Sequence, residues 1–386
     1  MKGNNGPGLS HWEKDSWVGK TDLLVIGSGI VGLNAALSYK LQFPAAEVTV
    51  LERGILPSGA STKNAGFACF GSLTELIDDL ERVGWDDTLA LVKSRWKGLL
   101  RLQERISNPK MRLEPAGGFE LFRPEDEADF TRCQAIMDKM NAALAPLMGP
   151  EPVYRVADAR IDEFGFTGVQ HLVENTREGL LDPGRMMREL LRQAQAAGVL
   201  VLTGIAVTEL FPHAEGVTVH TQRGWRFPAE QVIVATNGFA QQLLPELAVK
   251  PARAQVLITS PIPGLSFRGG FHYDRGYFYF RNLGDRVLFG GGRNLDFAGE
   301  ETAEIALTER IQSALERLLR EVILPGRKFR IAHRWAGIMG VGENRTTILR
   351  KVHPRVTCAV RLGGMGVAIG TLVGEAAARI ALRETV

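Results

Sequence analysis

The chain begins with alternating strand and helix patterns. An apolar run from Leu23 to Ile26 meets a glycine turn, and apolar residues at helical spacing continue to about Phe43. A second strand pattern, EVTVLE, covers 47–52. Short apolar runs bounded by glycine predict buried strands, whereas recurrence every three or four residues predicts a helix. We therefore predict a β-α-β unit over 22–52, the arrangement that builds a parallel sheet.

Helical patterns return in four later stretches. Leucines recur at helical spacing over 75–110, a similar pattern covers 125–148, and residues 301–322 have the pattern of one amphipathic helix. Between Asp182 and Gly198 the sequence predicts a capped helix, because the aspartate precedes a proline at the first helical position and a glycine follows the last turn.

Strand patterns dominate the middle and the end of the chain. A short strand closed by a proline is predicted at 117–124, a strand pair at 199–210, and a strand at 231–238. Residues 252–294 are rich in β-branched and aromatic residues separated by glycine and proline turns, which predicts an antiparallel sheet. The chain ends in a strand, a glycine turn and a helix after Arg355.

These elements predict an α/β fold, α+β overall. Parallel β-α units at the start, middle and end indicate a Rossmann-like, doubly wound domain assembled from separated segments, with an antiparallel-sheet domain inserted. We predict that the doubly wound domain comprises 1–75, 155–240 and 330–386, and that the inserted domain comprises 76–154 and 241–329.

Length and composition narrow the class of protein. A chain of 386 residues fits about two domains. Its 46 Lys and Arg nearly balance 43 Asp and Glu, so the charge gives no indication of a nucleic-acid partner. Its three cysteines lack metal-binding spacing, which indicates reduced thiols and a cytoplasmic location, with no metal site. We expect no signal peptide and no integral membrane segment, since no apolar stretch is long enough.

The turn after the first strand carries the first candidate chemistry. Gly27, Gly29 and Gly32 form G-x-G-x-x-G between a predicted strand and helix, where a pyrophosphate would meet the helix N-terminus. Glu52 ends the second strand 20 residues after Gly32, where a carboxylate binds ribose hydroxyls and disfavours a 2′-phosphate. The motif therefore predicts NAD or FAD binding and does not by itself separate the two.

Later motifs give the cofactor. GASTKNAGF (59–67), VIVATNGFAQQLLPEL (232–247) and LGGMGVAIG (362–370) follow in this order, and the sequence here resembles the D-amino-acid oxidase-like family of FAD-dependent oxidoreductases. That family includes glycine oxidase, sarcosine oxidase and γ-glutamylputrescine oxidase. The resemblance covers nearly the whole chain, and it extends to S-x-W at 10–12, Glu52-Arg53, G-x-x-D-P at 179–183, FRNLGDRVLFGGG at 280–292 and RWAG at 334–337.

The resemblance implies FAD, which makes the doubly wound domain an FAD-binding domain and the inserted one a substrate or cap domain. The ADP half would be held by Gly27, Gly29, Gly32, Glu52 and Arg53, with the adenine at the backbone of Val207. Ala60, Ser61, Asn64 and Gly66 would lie along the ribityl chain and flavin, and Gly364, Met365, Gly366 and Val367 at the pyrimidine edge. Ile30, Val31, Thr62, Ala235 and Thr236 complete the implied set.

The resemblance also implies an activity. Such enzymes usually remove a hydride equivalent from a carbon bonded to nitrogen, and the imine then hydrolyses. The expected partners are a small amine or amino-acid-like substrate and an electron acceptor, either oxygen or a carrier. Two alternatives stay open because fold does not fix function: a dehydrogenase of a hydroxy acid or polyol phosphate, and a flavin-binding protein without turnover.

Three positions depart from the family pattern. Met339 and Gly364 stand where family members have arginines that bind a substrate carboxylate, which argues against a simple α-amino acid as substrate. Gly337 stands near the cysteine that links flavin in sarcosine oxidase, so we predict non-covalent FAD. Cys69 and Cys358 are expected to pack in the core rather than to bind flavin.

Four residues are the catalytic candidates. Strand alternation over 277–281 predicts Tyr279 and Arg281 on one face, and we expect Arg281 to meet an anionic or polar end of the substrate. His272 falls where glycine oxidase has an active-site tyrosine, and it could orient substrate or carry a proton. Arg334 is a further cation that could replace the missing arginines.

Overall fold

The structure is a computed structural model that describes residues 8–343 and 346–382. Its helices are α1 (His11–Trp17), α2 (Ile30–Gln42), α3 (Ala60–Lys63), α4 (Leu73–Val83), α5 (Trp85–Arg105), α6 (Asn108–Met111), α7 (Glu127–Met148), α8 (Ile161–Phe164), α9 (Pro183–Ala196), α10 (Phe297–Glu300), α11 (Glu309–Leu318) and α12 (Gly366–Leu382).

The strands belong to two large sheets and one small one. They are β1 (Thr21–Ile26), β2 (Val48–Glu52), β3 (Phe67–Ala68), β4 (Gly118–Phe122), β5 (Tyr154–Val156), β6 (His171–Asn175), β7 (Gly179–Leu180), β8 (Leu200–Thr203), β9 (Val207–His213), β10 (Gly216–Thr221), β11 (Arg226–Val234), β12 (Lys250–Thr259), β13 (Gly270–Tyr273), β14 (Phe278–Leu283), β15 (Arg286–Gly291), β16 (Ile331–Val341), β17 (Ile348–His353) and β18 (Val356–Val360).

The first sheet is built around β1. Its strand order is β17-β18-β11-β1-β2-β8, and β9 and β10 join along β11. The four pairings that link β18, β11, β1, β2 and β8 are all parallel. The body of β1 is fully buried because helices cover one face and β9–β11 shield the other. The predicted β-α-β unit and the doubly wound fold are confirmed.

The second sheet has the order β16-β12-β15-β14-β13-β4-β6-β5. It is antiparallel except where β13 runs parallel to β4, which comes from a much earlier segment of the chain. Its far face carries an aromatic core that includes Phe119, Phe267, Phe271, Phe280 and Phe289, and α11 packs against this core. The opposite face of β13 and β14 is therefore left to line a site.

Two predicted elements need correction. The predicted helix over 301–322 begins only at Glu309 and ends in a π turn over Leu319–Ile323. Residues 301–308 are irregular because Thr308 is tied to β12: its N–H donates to Oε1 of Gln255 at 3.0 Å. The strand pair predicted at 199–210 forms two strands that do not pair with each other, since β8 joins β2 and β9 joins β10.

The strand pairing also changes the predicted division of the chain. The prediction places residues 155–240 and 330–386 in the cofactor domain. However, β5 and β6 pair with β4, and β16 pairs with β12, so the segments 154–175 and 331–341 contribute strands to the second sheet. With these segments moved, the division into two domains remains our proposal.

No helix in the described part of the chain is both long enough and apolar enough to cross a membrane.

Candidate functional site

The glycine turn brings helix α2 close to the end of β1. Gly27 has φ +102°, a conformation that favours glycine, and its N–H donates to the carbonyl of Leu51 at 2.8 Å. A Cβ on Gly32 would lie 1.9 Å from the carbonyl oxygen of Gly27, so only glycine lets the helix approach this closely. The N-terminus of α2 therefore opens into a cavity that Gly27, Gly29, Ile30 and Val31 line, while Gly32 lies beneath it.

Glu52 closes one side of this turn. Its side chain is buried at the end of β2, where Oε2 accepts from the N–H of Ser28 at 3.0 Å and from its hydroxyl at 2.7 Å. Oε1 accepts from the N–H of Gly54 at 2.8 Å. The carboxylate also lines the cavity, so it is fixed beside the glycine turn where a ribose would lie.

An aromatic residue that the sequence analysis missed forms the far end of the cavity. The guanidinium of Arg53 lies 3.7 Å from the ring centre of Phe239, and both residues line the cavity. Val207, predicted to meet the adenine, lines the same end. A planar cation stacked on an aromatic ring makes a flat boundary for an adenine.

The segment over 59–67 forms the long wall. α3 positions Ala60, Ser61 and Asn64 along the cavity, and Asn64 fixes the local turn because its Oδ1 accepts from the N–H of Gly66 at 2.9 Å. Thr62 and Gly66 do not line the cavity. The hydroxyl of Thr62 donates to the carbonyl of Pro57 instead, at 2.7 Å.

The start of α12 and the loop after β11 complete the cofactor side. Gly364, Met365, Gly366 and Val367 line the cavity where α12 begins, and so do Ala235 and Thr236. A 17-residue helix that starts there directs a positive dipole end into the cavity.

The other end of the cavity meets the second sheet. His272 on β13 and Tyr279 on β14 line it and lie opposite each other in register, with the ring of Phe67 5.1 Å from His272 and 5.9 Å from Tyr279. Met339, at the position of the absent arginine, also lines the cavity. Burial raises the pKa of Tyr279 to about 12, so this hydroxyl is neutral.

The residues present fit FAD. The cavity has a volume of about 540 Å³, and its lining continues from Glu52 and Val207 to Tyr279 and Met339. The hydroxyl of Thr236 is buried in this lining and has no hydrogen-bond partner among the described residues. An orphaned buried hydroxyl costs free energy unless a ligand satisfies it, so the site is shaped for a polar ligand.

Arg281, predicted to meet the substrate, is placed outside the cavity, with its guanidinium on backbone carbonyls. It does not line the cavity, and Nη1 donates to the carbonyls of Ala65 at 3.3 Å, Gly66 at 2.8 Å and Leu181 at 2.8 Å. Nε donates to the carbonyl of Asn282 at 3.1 Å. Burial lowers the pKa of Arg281 to about 10, which still leaves it charged at neutral pH. Arg281 fastens the 64–67 segment to the second sheet.

Arg334 is also placed outside the cavity. Its side chain donates to Gln312 and pairs with Glu316, both on α11. The alternation of β16 turns Arg334 toward α11 and away from the cofactor side, so it cannot replace the missing arginines. Of the four predicted catalytic residues, the structure therefore brings together His272 and Tyr279.

Several lining residues were missed by the sequence analysis. They include Phe67, Glu75, Phe239 and Arg293. Glu75 comes from a helix remote in sequence from β13, and Arg293 follows the FGGG turn with its guanidinium 4.8 Å from the ring centre of Phe297. Phe67 and Phe239 lie in the quoted motifs at 59–67 and 232–247, and Arg293 follows the FGGG turn, whereas no motif indicated Glu75.

Comparison with known proteins agrees with this geometry. The model of the DAO family, described as FAD dependent oxidoreductase, matches residues 22–380. Glycine oxidase from Geobacillus kaustophilus superposes with a TM-score of 0.72 at 19% identity, covering 95% of this chain and 96% of that one. L-proline dehydrogenase from P. horikoshii also gives 0.72 at 19% identity, covering 95% of both chains. At this identity the structural likeness establishes the fold.

One curated relative matches by sequence. The bifunctional protein ThiO/ThiG of Synechocystis is 26% identical over 241 residues, which is 61% of this chain. The match spans about a third of that relative, 33% of its length.

We predict that Glu52→Ala weakens FAD binding. Losing a charged acceptor at the ribose costs about 1.5–3 kcal/mol, or roughly ten- to a hundredfold in Kd, measured by flavin fluorescence titration of the apoprotein. Glu47→Ala is the matched control, because Glu47 precedes the same strand but is exposed. Unchanged affinity in a folded Glu52→Ala protein would show that this carboxylate does not bind the ribose.

We predict that Arg281→Met lowers the melting temperature and FAD retention but leaves KM unchanged. Four carbonyls lose a donor, and each group left unsatisfied costs about 1–3 kcal/mol. Arg268→Met is the control, since exposed Arg268 donates only to carbonyls of its own loop. A large rise in KM with normal stability would restore the substrate role.

Proposed function

The chain belongs to the DAO family of FAD-dependent oxidoreductases, and from this premise we propose that it oxidises a carbon–nitrogen bond of an amine or amino-acid-like substrate. The observation that carries the proposal is one continuous cavity that joins the glycine turn at α2 to the polar pair His272 and Tyr279. The names of the structural relatives, glycine oxidase and L-proline dehydrogenase, support an amino-acid-like substrate.

FAD, when bound, supplies the ring that accepts the hydride equivalent. The protein positions the flavin and the substrate, excludes water from the site, and stabilises the charge that develops on the flavin. The N-terminus of α12 would face the pyrimidine edge, where reduction adds negative charge, and its dipole stabilises that charge. Phe67 and Met339 contribute apolar surface at the substrate end, which favours the neutral, reactive form of an amine. The imine product then hydrolyses in water.

We propose a substrate larger than glycine. Met339 cannot bind a carboxylate beside the reacting carbon, and Arg281 is committed to backbone carbonyls. An anionic end, where the substrate has one, would extend to one of the other cations that line the cavity, which include Lys63, Arg275 and Arg293. The electrons pass to oxygen or to a carrier. The free cysteines Cys69, Cys133 and Cys358 support a reducing, cytoplasmic location.

The experiment is an anaerobic panel. Amines, N-methyl amino acids, α-amino acids and 2-hydroxy acids are each mixed with the FAD-loaded protein, and loss of flavin absorbance is followed. We expect bleaching by an amine or amino acid larger than glycine. Bleaching by hydroxy acids alone would support the hydroxy-acid dehydrogenase alternative, and no bleaching at all would support a flavin-binding protein without turnover. Reoxidation in air, compared with reoxidation by a quinone, distinguishes the electron acceptors.

We predict that the FAD is non-covalent. A Cβ at Gly337 would lie 2.9 Å from Cβ of Lys63, so a cysteine does not fit at this position, near which sarcosine oxidase has its linking cysteine. Burial raises the pKa of Cys69, which keeps the nearby thiol protonated and a poor nucleophile. Acid precipitation should release the yellow colour into the supernatant. Colour retained in the pellet would contradict the prediction.

A further inference from the structure

Three polar side chains form a row across neighbouring strands at the substrate end. In register, Glu120 on β4 lies opposite His272 on β13, and His272 lies opposite Tyr279 on β14. Residues directly opposite each other project from the same face of a sheet. His272 and Tyr279 line the cavity, so the row leads from the cavity into the protein interior toward Glu120, which is buried.

Glycines open a hollow beside this row. Gly118 and Gly270 are also paired, two residues earlier on the same face. A Cβ on Gly118 would lie 2.0 Å from Oε2 of Glu178, and a Cβ on Gly270 would lie 2.7 Å from the ring of Phe67. The missing side chains thus admit the carboxylate of Glu178 beneath the imidazole and the ring of Phe67 beside it.

Glu178 contacts His272 directly. Its Oε2 lies 3.4 Å from Nε2 of His272, and the two side chains are 3% and 9% exposed. The contact becomes an ion pair once the imidazole is protonated, and Nε2 has no partner with hydrogen-bond geometry among the described residues. Oε1 of Glu178 is held by the N–H of Phe70 at 3.4 Å and by Nδ2 of Asn175 at 3.1 Å. Those two donors fix the carboxylate while Oε2 stays directed at the imidazole.

Other ionisable groups surround the pair. Glu120 accepts from the hydroxyl of Ser72 at 3.0 Å and from Thr74, and burial raises the pKa of Glu120 to about 7. Glu75 comes from α4 and Cys69 from the end of β3. Tyr154 donates to the carbonyl of Gly71, and Arg95 on α5 pairs with Asp79 at 3.7 Å.

These surroundings are acidic on balance. Burial by itself lowers the pKa of His272, but the carboxylates of Glu178, Glu75 and Glu120 outweigh it and raise the pKa above the ordinary value. An imidazolium is therefore better tolerated here than in an apolar pocket.

We propose that His272, held and charge-balanced by Glu178, accepts the proton that a substrate ammonium must lose before its carbon–nitrogen bond is oxidised. This inference rests on the proposed function. In the step, an N–H bond of the ammonium breaks and an N–H bond forms on the imidazole. The positive charge moves from the substrate to His272, beside the Glu178 carboxylate, and no electrons are transferred.

The acidic surroundings suit this task. A proton passes from an ammonium to an ordinary histidine uphill, because the ammonium has the higher pKa. Raising the pKa of the acceptor reduces that difference, which favours transfer. Glu178 acts through His272 and is a positioning residue. His272 is the group that would touch the substrate.

The first test measures His272 itself. Histidines are labelled at Cε1, the protein is kept FAD-loaded, and the His272 resonance, assigned by its loss in His272→Gln, is titrated by NMR. In Glu178→Gln the midpoint should fall by about 1–3 pH units, since an opposite charge within contact distance shifts a pKa by that amount. Glu174→Gln is the matched control: Glu174 is also buried, but it pairs with Arg155. An unchanged midpoint in Glu178→Gln would overturn the pairing.

The second test links the pair to the reaction, with the amine that bleaches the wild-type flavin fastest. Neutral His272 is the acceptor, so kcat/KM should rise with pH through the pKa of His272, and Glu178→Gln should move this acidic limb to lower pH. The His272→Gln protein should lose the acidic limb and retain its FAD. This variant tests the inference even if the Glu178→Gln protein does not fold. An acidic limb of the kcat/KM profile that is unchanged in both variants would overturn the inference. If no amine bleaches wild-type flavin, the proposed function itself fails.

Discussion

Helix α2 packs so closely against the turn after β1 that no side chain fits at Gly32, and this contact fixes the two helix starts that face the cofactor site. The N-terminus of α2 is brought to the phosphate end of the cavity. The body of α2 carries α12, because a Cβ on Gly374 would lie 2.6 Å from Asn34. The start of α12 at Gly366 is thereby placed beside the start of α2, one turn before Gly370, where a Cβ would lie 2.6 Å from Ile30. One helix thus sets the distance between the groups for the pyrophosphate and those for the flavin edge.

The second sheet lines the substrate end of the cavity, and it also holds the 64–67 segment in place through Arg281. Arg281 donates from β14 to the carbonyls of Gly66 and Leu181, so the segment along the flavin side is tied to the strand that carries Tyr279. Because the guanidinium is buried, these carbonyls gain strong, charge-assisted donors. The same sheet face then holds His272 over the hollow at Gly118. Arg281, which ties the segment to the sheet, and His272, the proposed proton acceptor, therefore lie on the paired strands β14 and β13.

Local patterns in the sequence were sufficient to predict the cofactor-binding half of the molecule. The β-α-β unit, the glycine turn and Glu52 lie within 32 consecutive residues, 21–52, and were predictable because helix and strand periods, turns and caps are local. The substrate half was less predictable. Alternation correctly put Arg281 on the face of Tyr279, but it does not reveal that carbonyls from Ala65 and Leu181 reach that face. Glu178 enters the site only because Gly118 pairs with Gly270, a contact between segments about 150 residues apart. The helix predicted over 301–322 failed because Gln255, on a distant strand, binds Thr308.

The most direct test of the account is a crystal structure of the FAD-loaded protein, reduced and bound to the amine that bleaches its flavin fastest. We expect the adenine at Val207 and Phe239, the flavin edge at Gly364–Val367, and the amine nitrogen within hydrogen-bond reach of His272. Arg281 should remain on the carbonyls of Gly66 and Leu181. An amine nitrogen remote from His272, or a substrate group bound to Arg281, would contradict it.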